Sequence, residues 1–215
     1  MRTALLDLDG TLVDPAEGIL SSYRYALEKM GRPDLGRGNL DWVIGPALRL
    51  CFAQLLGDAA KAEQAVGHYR AVYGETGLFL ARPYDGIHDA LKAMKAAGFR
   101  LVLCTAKPLV FARRVAEHFA FTPLLDGLYG PDLAGTLDDK GDLIAHIRAH
   151  EPIDPAITVM IGDRKFDILA ARRHAIHSVG VLWGYGPQAE LEEAGATALC
   201  ARTADLPALV RSLAG

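Results

Sequence analysis

Apolar positions along the chain follow two rhythms. Nearly unbroken apolar runs occupy residues 3–8 (TALLDL), 100–105 (RLVLCT), 157–162 (ITVMIG) and 177–183 (HSVGVLW), with a weaker run at 128–130 (LYG). Runs of this kind predict strands covered on both faces, since a strand with one wet face would alternate polar and apolar residues. The intervening segments carry helical spacing, and helices crossing between buried strands cover both sides of a parallel sheet. The expected fold class is therefore α/β, a doubly wound parallel sheet. No internal repeat or low-complexity tract interrupts the pattern.

One interval departs from the alternation. From Pro15 to about Leu80 no strand pattern occurs, while helical spacing links Ile19, Tyr23, Ala26 and Met30 and recurs in ALRLCFAQLLG and AEQAVGHYRAVYG. This predicts an all-helical insertion after the first strand. The turn-forming RPYDG (82–86) marks the return, followed by the helix IHDALKAMKAAG, which ends on Gly98 as a helix C-terminus does. The expected division is a core of residues 1–14 and 82–215, with residues 15–81 as a helical cap.

Composition narrows the classes of partner. Hydrophobic residues make up 51% of the 215 and charged ones 23%, values of an ordinary globular protein. A net charge of −3, without a dense Lys/Arg cluster, offers no field for a nucleic acid polymer. No segment approaches the ~20 apolar residues needed to span a bilayer, and the N-terminal apolar run is too short for a signal peptide. Cys51, Cys104 and Cys200 lie far apart among apolar neighbours and read as buried free thiols. A cytoplasmic location is expected. Nothing in the sequence indicates an oligomeric state.

Four stretches carry candidate chemistry. In DLDGT, Asp7 and Asp9 stand at i and i+2 at the end of a strand and project to one side. Two carboxylates so placed repel, and either a proton or a cation must relieve them. An ionised aspartate can attack phosphorus, and a protonated one can give its hydrogen to a departing alkoxide. Gly10 permits the tight turn, and the Thr11 hydroxyl is expected to hydrogen-bond within it. In VLCTAKP, Thr105 and the backbone N–H groups around Ala106 and Lys107 can bind a phosphoryl oxygen, although a strand-end Thr is also an ordinary turn residue. In MIGDRKFD, Asp163 follows a strand and Asp167 falls on the first turn of a helix starting near Arg164, so both can face one Mg²⁺ ion; helix capping is the alternative. Lys140, opening an amphipathic helix, is a usable point charge for phosphate or else a surface residue. Asp7, Thr105 and Asp163 each directly follow a strand pattern, and in open parallel sheets the ligand crevice lies beyond the strands' carboxyl ends.

DLDGTLVD (7–14), Thr105, Lys140 and GDRKFD (162–167) resemble the four ordered motifs of the haloacid dehalogenase superfamily. Within it the chain looks like the phosphoglycolate phosphatase-like group, whose Rossmann-like core carries a helical cap. The likeness extends through IGPAL (44–48) and VGVLWGYGPQAELEEAGA (179–196). The resemblance implies Asp7 as nucleophile, becoming an aspartyl-phosphate, and Asp9 as general acid and then base. Thr105 and Lys140 would hold the phosphoryl group, with Thr11, Ala106 and Lys107 as further substrate contacts. Mg²⁺ would be held by Asp7, the main-chain carbonyl of Asp9 and Asp163, with Asp167 in support. Trp42, Gly45 and Arg49, with Tyr23, lie in the cap, where the non-phosphate part of a substrate would rest, although tryptophans and tyrosines are more often packing residues. Ala47 stands where similar sequences commonly have a second proline, which puts the shape of that loop in question.

The expected function is a Mg²⁺-dependent phosphatase acting on a small phosphate monoester, phosphoglycolate phosphatase-like. A 5'-nucleotidase and a sugar-phosphate mutase keep the same residues and stay open; a non-catalytic phospho-acceptor module is the alternative of another class, disfavoured because a mere acceptor needs neither Asp9 nor a cap. Asp9 disfavours a dehalogenase, because halide leaves unprotonated. The spacings His146/His150 and His174/His177 could hold zinc but lack Cys or acid ligands in a matching pattern.

Overall fold

The five apolar runs all lie in one sheet, four of them in almost wholly buried strands and the weaker fifth in a half-buried one. The computed structural model describes residues 1–215. In chain order the elements are β1 (Thr3–Leu6), β2 (Val13–Asp14), α1 (Ala16–Lys29), α2 (Leu48–Leu56), α3 (Ala59–Tyr73), β3 (Arg82–Pro83), α4 (Ile87–Ala96), β4 (Arg100–Cys104), α5 (Leu109–His118), β5 (Gly127–Tyr129), α6 (Lys140–His150), β6 (Thr158–Gly162), α7 (Lys165–Arg173), β7 (His177–Val181), α8 (Gln188–Ala194), β8 (Ala198–Cys200) and α9 (Leu206–Leu213).

The main sheet has the order β5-β4-β1-β6-β7-β8 and its pairs run parallel. Leu5, Val102, Cys104 and Met160 form one face and pack with Leu143, Ile144 and Ile147 of α6 and Ala170 and Ala171 of α7. The alternate residues Ala4, Leu6, Leu101, Leu103, Val159 and Ile161 point the other way and are equally buried. Both faces are thus covered, which is why these strands read as unbroken apolar runs. Each fully buried Leu or Ile contributes roughly 1.5–3 kcal/mol from its removal from water. All three cysteines are buried and free.

The register sets up the chemistry. Leu6 of β1 lies beside Leu103 of β4 and Ile161 of β6. Asp7, Thr105 and Asp163 therefore emerge one or two residues beyond a shared rung, at the carboxyl ends of three adjacent strands. Chain order reverses here, since β4 and β5 lie on one side of β1 and β6, β7 and β8 on the other.

Contacts divide the chain into two units, Met1–Asp14 with Pro83–Gly215, and Pro15–Arg82. The second unit contains α1, α2 and α3. Its interior is aromatic: Tyr23 stacks on Phe52 at 4.5 Å between ring centres and meets Tyr69 edge-on at 5.1 Å. Gly57, at φ 66°, ends α2 in the left-handed conformation. Asp58 then caps α3 by accepting from the N–H groups of Ala60 and Lys61. No helix is long and apolar enough to cross a membrane.

Candidate active site

Three carboxylates converge where the strands end. One oxygen from each of Asp7, Asp163 and Asp167 can be chosen so that all lie within 4.8 Å of one another, and all three residues are buried. Asp7 is delivered by β1, whose pairing continues through a bond from the Asp7 N–H to the Ile161 carbonyl at 2.9 Å. Asp163 follows β6. Asp167 sits in the first turn of α7, where its Oδ2 accepts from the Arg164 N–H at 3.1 Å and caps the helix. Capping, the alternative use of this acid, accounts for one of its oxygens. The other oxygen meets Lys140 Nζ at 2.5 Å.

Gly10, at φ 79°, occupies the left-handed region, and a Cβ there would overlap the Asp163 carboxylate. The turn that follows Asp9 is fixed by backbone bonds, from the Gly10 N–H to the Val13 carbonyl and from the Leu12 N–H to the Leu8 carbonyl, both 2.8 Å. Here the structure corrects an expectation: the Thr11 hydroxyl is buried without a hydrogen-bond partner, so it does not fix this turn. The main-chain bonds suffice because glycine supplies the required geometry.

Two lysines reach the acids from different sides. Lys140, at the start of α6, contacts Asp7 Oδ2 at 3.0 Å as well as Asp167. Lys107, beyond β4, pairs with Asp9 Oδ2 at 2.9 Å. Lys140 is buried rather than a surface residue, and its helix is capped by Asp139, whose carboxylate accepts from the Asp142 N–H at 2.9 Å. Burial alone would lower the Lys140 pKa, but Asp167 and Asp7 overcome it and keep the ammonium charged. Burial raises the pKa of Asp163, reinforced by Asp167 and Asp7. Burial also raises Asp9, against the lowering pull of Lys107. Asp167 is raised by burial in spite of Lys140.

Thr105 is buried beside this cluster, and its hydroxyl oxygen accepts from the Lys107 N–H at 3.2 Å. Ala106 lies between them, half-buried. Trp42, Gly45 and Arg49 belong to the helical unit and are half-buried there. Arg49 Nε pairs with Glu63 at 2.5 Å. Tyr23 is a packing residue, in keeping with its place in the helical apolar spacing: it is 1% exposed within the aromatic interior.

The spacing rules missed a group around Asp163. The Tyr185 N–H donates to Asp163 Oδ2 at 2.8 Å, and the Trp183 indole N–H donates to the Thr11 carbonyl at 3.1 Å. Tyr84 lies against Trp183, and burial together with Asp14, Asp163 and Asp9 raises its phenol pKa. The available signal was two glycines alternating with two large aromatics directly after a strand.

The donor set suits a small divalent cation. All its atoms are hard oxygens, and Asp163 Oδ1 is buried with no hydrogen-bond partner, so one oxygen that could ligate a cation is unengaged.

Comparison with known proteins agrees with this geometry. The haloacid dehalogenase-like hydrolase family matches residues 4–181. A 5'-nucleotidase of Pseudomonas aeruginosa is 43% identical over 97% of this chain and 95% of its own length. The tyrosine-protein kinase PtkA of Mycobacterium tuberculosis is 37% identical over 86% of this chain, which spans 63% of that longer protein. A phosphoglycolate phosphatase of Agrobacterium fabrum is 32% identical over 88% of this chain and 84% of its own. Among solved structures, that of a predicted phosphatase from Clostridium acetobutylicum superposes with a TM-score of 0.94 at 33% identity, covering 99% of this chain and 100% of that one. The chain belongs to the haloacid dehalogenase-like hydrolase family, as a phosphoric monoester hydrolase.

Proposed function

We propose that the protein is a Mg²⁺-dependent phosphatase of small phosphate monoesters that works through an aspartyl-phosphate on Asp7. The observation that carries this reading is the convergence of Asp7, Asp163 and Asp167 within 4.8 Å, with Asp9 beside them and paired to Lys107. Asp7 and Asp163, with the main-chain carbonyl of Asp9, would hold the cation, and Asp167 would support them. When bound, the cation offsets the gathered negative charge and polarises the phosphoryl oxygens.

In the first half-reaction the Asp7 carboxylate attacks phosphorus and the bond to the ester oxygen breaks. Asp9, whose burial favours its protonated form, gives its proton to the departing alkoxide. In the second, Asp9 takes a proton from water as that water attacks phosphorus, and the bond to Asp7 breaks to release inorganic phosphate. Lys140 and Thr105, with the N–H groups near Ala106 and Lys107, steady the phosphoryl oxygens. Thr11 is buried within the turn that follows Asp9. Asp9 also bears on the choice of reaction, since a leaving alkoxide needs a proton.

For the substrate class we place nucleoside 5'-monophosphates ahead of phosphoglycolate, on the greater identity and near end-to-end match of the nucleotidase relative. The kinase relative is matched over a smaller share of its length, and water as acceptor follows the relatives matched end to end. Trp42, Gly45 and Arg49 remain the proposed contacts to the substrate's non-phosphate part.

The test is a panel of phosphate esters assayed for released phosphate with and without Mg²⁺. Nucleoside 5'-monophosphates are expected to give the highest kcat/KM, whereas isomerised sugar phosphate without released phosphate would indicate a mutase instead. Asp7→Asn should lower turnover by at least about a thousandfold while the melting temperature is retained. Activity persisting in that variant would remove Asp7 from the nucleophile role.

A further inference from the structure

The stretch Trp183-Gly184-Tyr185-Gly186 makes contacts that the proposed chemistry does not use. The Trp183 indole binds the Thr11 carbonyl, and the Tyr185 hydroxyl donates to Asp14 Oδ1. Both acceptors lie in the segment that follows Asp7 and Asp9. Between these anchors the Tyr185 N–H holds Asp163 Oδ2. The intervening glycines are required by close approach: a Cβ on Gly184 would overlap the Asp163 side chain and the Gly10 carbonyl, and one on Gly186 would overlap the Asp163 carbonyl. The segment thus runs directly over Asp163, with its side-chain-free positions toward the acid and its two aromatics gripping the turn.

A carboxylate turns easily about its last torsion, so either oxygen of Asp163 could face a cation unless something distinguishes them. The Tyr185 N–H makes that distinction. It engages Oδ2, while Oδ1 has no partner.

We propose that Tyr185 is a positioning residue for the cation site, its phenol anchored on Asp14 so that its own backbone N–H fixes Asp163 Oδ2 and turns Oδ1 toward the metal. The proposal rests on the reading above for the presence of a cation. Partners one step removed from a ligand orient it, and their loss typically weakens metal binding by about ten- to a hundredfold.

The experiment titrates the metal-free full-length chain with MgCl₂ by calorimetry, records thermal melting without metal, and measures KM for a nucleoside monophosphate at saturating Mg²⁺. Tyr185→Phe should weaken Mg²⁺ binding about tenfold and leave KM and the metal-free melting temperature near those of the wild type. Asp14→Ala should match it, Asp14→Asn, which keeps an oxygen acceptor, should recover most of the affinity, and the Tyr185→Phe/Asp14→Ala double variant should be no weaker than either single one. Unchanged Mg²⁺ affinity in Tyr185→Phe, or losses that add in the double variant, would overturn the proposal and leave the phosphatase reading standing. Should Tyr185→Phe melt early, the Asp14→Ala and Asp14→Asn pair decides by the same comparison. A wild-type chain that binds no Mg²⁺ would overturn both readings together.

Discussion

The two buried lysines are not equivalent. Lys140 sits between Asp7 and Asp167, whereas Lys107 pairs with Asp9. In the general-acid role proposed for Asp9, its carboxylate would have to be aimed as well as protonated, and Lys107 would supply that aim. Lys107→Met is expected to lower kcat by about a hundredfold for alkyl phosphates, the low end of what a placed general acid contributes. For an aryl phosphate, whose leaving group needs no proton, the loss should be much smaller; equal losses on the two esters in steady-state assays would deny Lys107 this role. The four aspartates stood out in the sequence because i,i+2 and i,i+4 spacings act locally. The partner of Lys107 did not, because Asp9 and Lys107 follow different strands and the β1/β4 pairing brings those strand ends together.

Among elements, what was legible depended on burial. β1, β4, β6 and β7 are almost wholly buried and announced themselves as apolar runs, while the edge strand β8 has only three residues, two of them half-buried, and passed unnoticed. An edge strand needs fewer apolar positions, so its pattern fades into that of a loop. The other edge is held by an acid: Asp126, just before β5, accepts from Lys95 of α4 at 2.7 and 2.8 Å and from the Leu101 N–H of β4 at 2.8 Å. Partial burial raises its pKa, but the hydrogen bonds from Lys95 and Leu101 outweigh that and bring it below the usual 3.8. A carboxylate with a lowered folded pKa adds stability that is complete above the unfolded value and lost as pH falls through the folded one. Asp126→Asn should therefore destabilise by about 1 kcal/mol at neutral pH, allowing for solvent screening of a partly exposed pair. Urea unfolding should show the gap narrowing as pH drops below 3.8, and a gap constant with pH would contradict the assignment.

For the molecule as a whole, gathering Asp7, Asp163 and Asp167 in a buried site with Lys140 as the near cation sets stability against function. Mg²⁺ bound only by the folded chain should relieve this. At a concentration a hundred times its dissociation constant the gain is about 2.7 kcal/mol, which for a chain of this size raises the melting temperature by roughly 5–10 °C. A chelator should reverse that shift in a melting curve, and melting indifferent to Mg²⁺ would argue against a cation at this cluster. Local spacing determined much: an α/β sheet, helices throughout residues 15–81, and acids and a hydroxyl at strand ends, because strand and helix periodicity and turn chemistry act over a few residues. Tertiary packing decided the rest, namely which lysine faces which acid, the idle Thr11 hydroxyl, and the grip of Tyr185 on Asp14 across 171 positions of chain. The physical reason is that side-chain pairing between distant segments follows from sheet register and helix packing, which no short window of residues encodes.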